Sequence, residues 1–450
     1  MVLLVHIFMA PSMLYLLILI PLVSSTSNQV LNHHSMQNGF RVSLSHIDSS
    51  HNFSKLQLVQ RSLNRAKNRL QRLASMAATG PGNGVEAPVH AGNGEFLMNV
   101  SIGTPAIPFS MIMDTGSDLI WTQCSPCTKC FKQPTPVFNP AKSSTWSNVS
   151  CSSDLCKDMN IFKCENGCKY LYLYGDQSST EGFMAMDTFT FEDSLKQVVP
   201  IPKIGFGCGV NNQGSGLGQG SGLVGLGRGP LSLASQLGVT KFSYCLTSMG
   251  GNQTSSSTLL LGSLADLNYT SGANHGTQVT PLVQNPYLPT FYYISLEGIT
   301  VGETLLPISN SLFKLKEDGS GGMIIDSGTT ITYLFKEAFD VLKEEFMSQM
   351  KLRVSGSSDT TGLDLCFDLP TKNVTEIMVP KLKFHFTGLD LELPVENYMI
   401  ADESLGLVCL AMGASGAMSI FGNIQQQNLL VLHDLEKETL SFVPTQCEQL

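Results

Sequence analysis

Charge is scarce in this chain. Asp, Glu, Lys and Arg make up 14% of its 450 residues, and acids outnumber bases 36 to 27. A net charge of −9 gives the whole molecule no basic field for nucleic acid, and no nucleic-acid partner is expected. Long apolar runs are equally scarce. The one extended example, through Leu14-Tyr15-Leu16-Leu17-Ile18-Leu19-Ile20, opens the chain, and the residues beyond it have the mixed character of a protein in water. Histidine is thin as well. Beyond residue 79 only His90, His275, His385 and His433 remain, at no zinc-ligand spacing, so no metal is expected. No G-x-S-x-G elbow occurs, which removes a serine-hydrolase reading. The glycine-rich tract from Gly205 to Gly229 is followed by no Walker lysine and no readable ribose-binding acid. It reads as loop and tight β packing, and no cofactor is expected.

What the chain does contain is a duplicated acid. Residues Met111-Ile112-Met113-Asp114-Thr115-Gly116-Ser117 set one carboxylate after an apolar run, then a hydroxyl, a glycine and a second hydroxyl. Residues Met323-Ile324-Ile325-Asp326-Ser327-Gly328-Thr329 repeat the order. A carboxylate at the end of a buried strand is costly unless it is hydrogen-bonded or shares a proton, so two copies suggest that they face each other. Gly116 and Gly328 would let the two backbones approach.

The N-terminal stretch, residues 1–25, has no Lys, Arg, Asp or Glu and ends in Val23-Ser24-Ser25, a small-residue exit. It reads as a secretory signal rather than a retained anchor. Residues 26–79 carry seven basic residues against the single acid Asp48, a net +6 that leaves −15 on the remainder. Leu56, Val59, Leu63, Leu70 and Leu73 fall at helical spacing behind a Ser54/Gln57 capping box. Such a cationic amphipathic helix suits a nucleic-acid arm, a membrane-surface arm or a removable pro-segment, and the signal before it favours the pro-segment. Gly80-Pro81-Gly82-Asn83-Gly84 then forms a joint open to cleavage.

After the joint, short strand-like runs bounded by Gly, Pro, Asn and Ser continue to the C-terminus, with helices expected only over Leu231 to Leu237 and about Lys336 to Met350. The fold class is all-β. Twelve cysteines in a secreted chain are read first as six disulfides. Cys124, Cys127, Cys130, Cys151, Cys156, Cys164 and Cys168 form a cluster of seven, so at least one bond must leave it. Asn52, Asn99, Asn148, Asn252, Asn268 and Asn373 begin Asn-x-Ser/Thr sequons and are glycan candidates, with Asn99 the weakest because it precedes Asp114 within a strand.

With both D-[TS]-G loops in hand, the chain resembles the pepsin-like aspartic endopeptidases, and within them the plant nepenthesin type. The cysteine-rich insert after Trp121 carries the likeness, together with Ile204-Gly205-Phe206-Gly207-Cys208-Gly209, Lys241-Phe242-Ser243-Tyr244-Cys245 and Ile420-Phe421-Gly422-Asn423-Ile424-Gln425-Gln426-Gln427. The resemblance implies a bilobal fold with a cleft between two β lobes, here residues 80–270 with the insert 124–168, and residues 271–450. It implies catalytic Asp114 and Asp326, supported by Leu223-Val224-Gly225 and Ile420-Phe421-Gly422. Thr115 and Ser327 would bond across the lobes, with Ser117 and Thr329 orienting the carboxylates. Tyr174 would be the tyrosine of a closing β-hairpin flap, braced by Trp121. The family has a second glycine where Gln177 stands, so a differently shaped flap tip is expected.

The resemblance also implies disulfides Cys124–Cys127, Cys130–Cys208, Cys151–Cys168, Cys156–Cys164, Cys245–Cys447 and Cys366–Cys409. The function it implies is that of a secreted, monomeric acid protease acting on protein and peptide substrates. It would be made as a zymogen with its own pro-segment as inhibitor and activated in acid. The alternative is a catalytically inactive pepsin-like protein that binds or inhibits another protein. A membrane-tethered protease finds no anchor in Thr445-Gln446-Cys447-Glu448-Gln449-Leu450.

Overall fold

The computed structural model describes residues 39–49, 53–64, 96–159, 161–174, 178–192, 197–214, 220–249, 257–266, 278–356, 361–369 and 377–450. The N-terminal stretch to Ser25, the Gly80 joint, Leu70, Leu73, Gln177 and the sequons Asn52, Asn252, Asn268 and Asn373 lie outside them.

Strands dominate, as the short alternating runs require. Phe40–His46 (β1) buries Phe40, Val42 and Leu44 on one face, the period of two that a half-buried strand imposes. In the N-terminal lobe Phe96–Ile102 (β2) and Ile107–Asp114 (β3) form a hairpin, and Trp121–Gln123 (β4) comes after the first Asp loop. Cys168–Leu173 (β5), Ser179–Glu192 (β6) and Val198–Gln213 (β7) form a long antiparallel meander, and Gly222–Gly225 (β8) returns parallel to β3. The chain then adds Lys241–Cys245 (β9), Ser257–Leu261 (β10) and Gln278–Val283 (β11).

In the C-terminal lobe the same arrangement recurs. Tyr292–Ile294 (β12) pairs with Met323–Ile325 (β13), Thr332–Phe335 (β14) comes after the second Asp loop and lies beside Met412–Ser415 (β15), and Ser419–Phe421 (β16) runs parallel to β13. The chain closes with Leu429–Asp434 (β17) and Thr439–Pro444 (β18).

Six strands from both halves form one antiparallel ladder in the order β1, β10, β9, β17, β18, β11. The pairing Phe40↔Leu261 and Tyr244↔Val431 joins residues that no local pattern connects. β1 also pairs with β2 through Leu44↔Met98, so residues of the expected pro-segment are woven into the sheet.

Helices are few; the longer ones sit where the sequence places them, while the four-residue helix Asp154–Lys157 in the cysteine-rich insert is not among those expected. Residues 55–64 are helical (α1), and the capping box is reciprocal: the Gln57 amide donates to Ser54 Oγ at 3.2 Å and the Ser54 amide to Gln57 Oε1 at 2.9 Å. Leu56 and Val59 of α1 pack on Ile331, Tyr333, Ile400, Leu407 and Ile424 of the C-terminal lobe. Full burial of each contributes roughly 1.5–3 kcal/mol to holding the helix there. Leu233–Leu237 (α2) and Lys336–Gln349 (α3) match the two expected helices.

The twelve cysteines form six disulfides. Cys245–Cys447 and Cys366–Cys409 pair as the resemblance implies. The four bonds within and leaving the cluster do not: the pairs are Cys124–Cys208, Cys127–Cys130, Cys151–Cys164 and Cys156–Cys168. Depth explains the exchange. Cys124 and Cys208 are both buried where β4 runs parallel to β7, whereas Cys127 and Cys130 stay at the rim and close on each other. Likewise buried Cys156 meets buried Cys168, leaving Cys151 to the exposed Cys164.

Candidate active site

Each Asp ends a buried strand and is held the same way. Asp114 Oδ1 accepts the Gly116 amide at 3.1 Å and Oδ2 accepts the Ser117 hydroxyl at 2.6 Å. Asp326 Oδ1 accepts the Gly328 amide at 2.9 Å and Oδ2 the Thr329 hydroxyl at 2.6 Å. Both carboxyls are fully buried. Without such donors each would carry an uncompensated polar burial cost.

The two loops also grip each other. The Ser327 amide donates to Thr115 Oγ1 at 3.0 Å, the Thr115 hydroxyl to Ser327 Oγ at 3.3 Å and the Thr115 amide to Ser327 Oγ at 3.4 Å. The pairs that sequence reading singled out are therefore brought together across the lobes. Support strands lie beneath them, with Gly225 opposite Asp114 and Phe421 opposite Ile325. A Cβ on Gly225 would sit 2.3 Å from the Asp118 carbonyl carbon, and one on Gly422 2.3 Å from that of Ile331, so only glycine admits these approaches.

Trp121 and Tyr174 are both buried, with ring centroids 6.3 Å apart. Burial first, then Tyr172, Tyr170 and Asp114, push the Tyr174 phenol well above its ordinary value, so it stays protonated. Of the two sequons described, Asn148 is exposed, and Asn99 faces solvent on β2 while accepting the Ser110 hydroxyl at 2.9 Å.

Sequence reading gave no role to two residues here. Asp118 is buried, and accepts the Gly229 amide at 2.8 Å and the hydroxyl of Thr290, from the other half of the chain, at 2.7 Å. Asn423 donates its side-chain amide to the Ser327 carbonyl at 2.9 Å. Nothing in the local sequence marks Asp118 apart from its place two residues past Gly116.

Burial raises the Asp118 carboxyl above its usual range, against the opposing bonds from Thr290 and Gly229. A carboxyl raised on folding is least costly below the unfolded value of about 4 and costs stability as pH rises through its raised value. Asp118→Asn keeps an oxygen for Gly229 and cannot ionise. In the Asp114→Asn background, which prevents self-digestion, it is expected to gain stability over its parent at pH 7 and to lose that gain below about pH 4. Denaturant melts at both values check this; a difference independent of pH contradicts it.

Comparison with known proteins places this geometry in a family. Residues 96–263 match the family model described as "Xylanase inhibitor N-terminal" and residues 291–444 its partner, "Xylanase inhibitor C-terminal". Aspartic proteinase nepenthesin-1 of Nepenthes gracilis is 51% identical over 448 residues, covering 98% of this chain and 96% of the relative. The chain belongs to the nepenthesin-type aspartic proteinases. Nepenthesin-2 of the same plant is 50% identical over 94% of each chain, and Aspartyl protease family protein 2 of Arabidopsis thaliana 37% identical over 90% of this chain and 85% of its own.

Among solved structures, that of edgp superposes with a TM-score of 0.66 at 18% identity, covering 92% of this chain and 96% of its own. Soybean basic 7S globulin gives 0.64 at 17% identity, covering 91% and 97%. These two establish the bilobal fold and nothing finer. As a nepenthesin-type protein, the chain is an aspartic endopeptidase that acts on peptide or protein substrates.

Proposed function

We propose that Asp114 and Asp326 share one proton and activate a water for attack on the scissile peptide carbonyl. The observation that carries this reading is the mirrored pair of carboxyls, each held by an amide and a hydroxyl, on loops locked through Thr115 and Ser327. Two carboxyls at one site cannot both ionise cheaply, so the pair holds one proton between its members. The ionised member takes a proton from the water. The protonated member polarises the carbonyl, and proton donation to the leaving nitrogen completes hydrolysis with no acyl-enzyme. Tyr174 belongs to the flap that closes over substrate, and Trp121 braces it.

The chain is further read as a secreted, monomeric zymogen without a membrane anchor. Its charge-free apolar N-terminus and its six disulfides support export. No helix among the described residues is long and apolar enough to cross a membrane. Pro-segment inhibition draws support from β1, woven into the six-strand ladder, and from α1 seated on Tyr333 and Ile331 beside the second Asp loop. The attraction expected of its cations is only partly local: Arg61 pairs with Asp48 of the same segment at 3.0 Å. Lys55 reaches the Glu396 carbonyl at 2.7 Å, and Ser54 donates to Asp402.

Burial lifts the Asp402 carboxyl, but bonds from Ser404, Ser54 and the Leu405 amide outweigh it and leave it below the usual carboxylate range. The Ser54 contact is therefore charge-assisted at neutral pH and weakens as pH falls through that lowered value, which supports release of the segment in strong acid.

Digestion of a denatured protein across a pH range, with and without pepstatin, tests the reading. Pepstatin-sensitive cleavage confined to acid, preceded by shortening of the full-length chain, is the expected outcome. Conversion that is as fast at neutral pH contradicts acid activation, and absence of cleavage at every pH favours the inhibitor-like alternative.

A further inference from the structure

The segment Gln425-Gln426-Gln427 is wholly buried, although three consecutive primary amides in a protein interior are expensive unless each is bonded. Gln425 spends its side chain inside the C-terminal lobe, accepting the Thr332 amide at 2.7 Å and donating to the Asn397 and Ala411 carbonyls. Gln427 accepts the Met249 amide at 3.1 Å. Gln426 does something different. Its Nε2 donates to the Phe421 carbonyl at 2.8 Å and to the Asp326 carbonyl at 3.4 Å, and its Oε1 accepts the Tyr244 hydroxyl at 2.6 Å.

Asp326 is thus tied twice to one short stretch. Its amide donates to the Phe421 carbonyl at 3.1 Å and its carbonyl faces the Gln426 amide, while Tyr244 of β9 anchors that amide to the ladder joining the two halves. The first loop solves the same problem with main chain: the Asp114 carbonyl accepts the Leu226 amide at 2.8 Å. A backbone support cannot be changed by substitution, whereas a side-chain support can.

We propose that Gln426 is a positioning residue for Asp326, and that an amide is required because it remains both donor and acceptor at any pH. The proposal rests on the aspartic-peptidase reading above. An amide does not titrate, whereas a glutamate at this place donates only while protonated. The groups facing the site from every packed element are consistent with this. The Tyr244 phenol is held well above its ordinary value by burial first and then by Asp326 and Tyr292, and so remains a donor. The ring of His433 on β17 lies 5.5 Å from that of Tyr244.

Gln426→Glu converts the support into a pH-dependent one. Protonated, it can donate to a carbonyl and accept Tyr244; ionised, it would face two carbonyl oxygens. In acid its kcat is expected within about threefold of wild type. As pH rises kcat is expected to fall by about tenfold or more ahead of the wild-type alkaline limb, with KM unchanged. Gln426→Leu is expected to lose about ten- to a hundredfold in kcat at every pH, again at constant KM.

The Asp326 backbone amide resonance supplies a readout independent of turnover: in Gln426→Glu it should show an added titration absent from wild type. Equal pH profiles for the Glu and wild-type enzymes, no added titration, or a kcat loss that merely tracks the fraction unfolded overturns the proposal. Were the wild type inactive, the peptidase reading would fail, and the resonance titration would still decide the role of Gln426.

Discussion

Asp114→Asn and Asp326→Asn are each expected to lower kcat by at least about 10²- to 10⁴-fold, because neither variant can pass a proton to or from the attacking water. The fold should tolerate both. The asparagine oxygen can still accept the Gly116 or Gly328 amide, and the Ser117 or Thr329 hydroxyl can turn to accept from the new amide. A melting midpoint close to wild type, combined with lost turnover, therefore separates chemistry from folding. The double variant should be little worse than either single one, since two groups that act as one unit do not lose their contributions additively. Steady-state kinetics on a peptide substrate check this; near wild-type kcat in either single variant removes that residue from the mechanism.

The second large effect concerns stability in acid. His433 is wholly buried on β17, stacked 4.4 Å from the Phe242 ring and edge-on to Tyr292 at 4.6 Å, and neither ring nitrogen has a hydrogen-bond partner among the described residues. Burial, and then the positive charge of Arg228, push its imidazole down to about 3. Above the ordinary value of about 6.5 the ring is neutral in folded and unfolded chains alike, and pH has no leverage through it. Between about 6.5 and 3 the unfolded chain takes up a proton that the folded one refuses, so stability falls by about 1.4 kcal/mol per pH unit.

His433→Phe replaces the ring with one of similar size that cannot charge, and gives up no hydrogen bond. In the Asp114→Asn background its stability at pH 7 should lie within about 1.5 kcal/mol of its parent. At pH 3.5 it should be more stable by several kcal/mol. Denaturant melts at the two values measure the difference, and equal acid losses in the two proteins contradict the assignment. If the enzyme works in acid, this histidine makes its own working medium the destabilising one.

What could be read from the chain alone was whatever is local or doubled. The Asp114 and Asp326 loops announce themselves by repetition, and the Ser54/Gln57 cap and the two later helices by spacing. The disulfides of the insert were not legible, because Cys124, Cys127 and Cys130 differ in depth and not in any feature of spacing. β1 beside β10 was hidden for a related reason: Phe40 and Leu261 meet only once both halves have folded. The partners of Asp118 and Gln426, namely Thr290 and Tyr244, stand 172 and 182 residues away in sequence, and neither residue type is unusual. Physical chemistry demands that such buried polar groups be bonded, but only the fold supplies the partner.

The most direct test of a proton shared between Asp114 and Asp326 is a pre-steady-state time course of peptide hydrolysis by the processed enzyme in ¹⁸O-labelled water, monitored across the acid pH range. The account predicts no burst of the first product, label in the newly formed carboxyl group from the first turnover, and a bell-shaped kcat/KM that collapses to a single ionisation in the residual turnover of Asp326→Asn. A stoichiometric burst with a trapped covalent acyl-enzyme would contradict it.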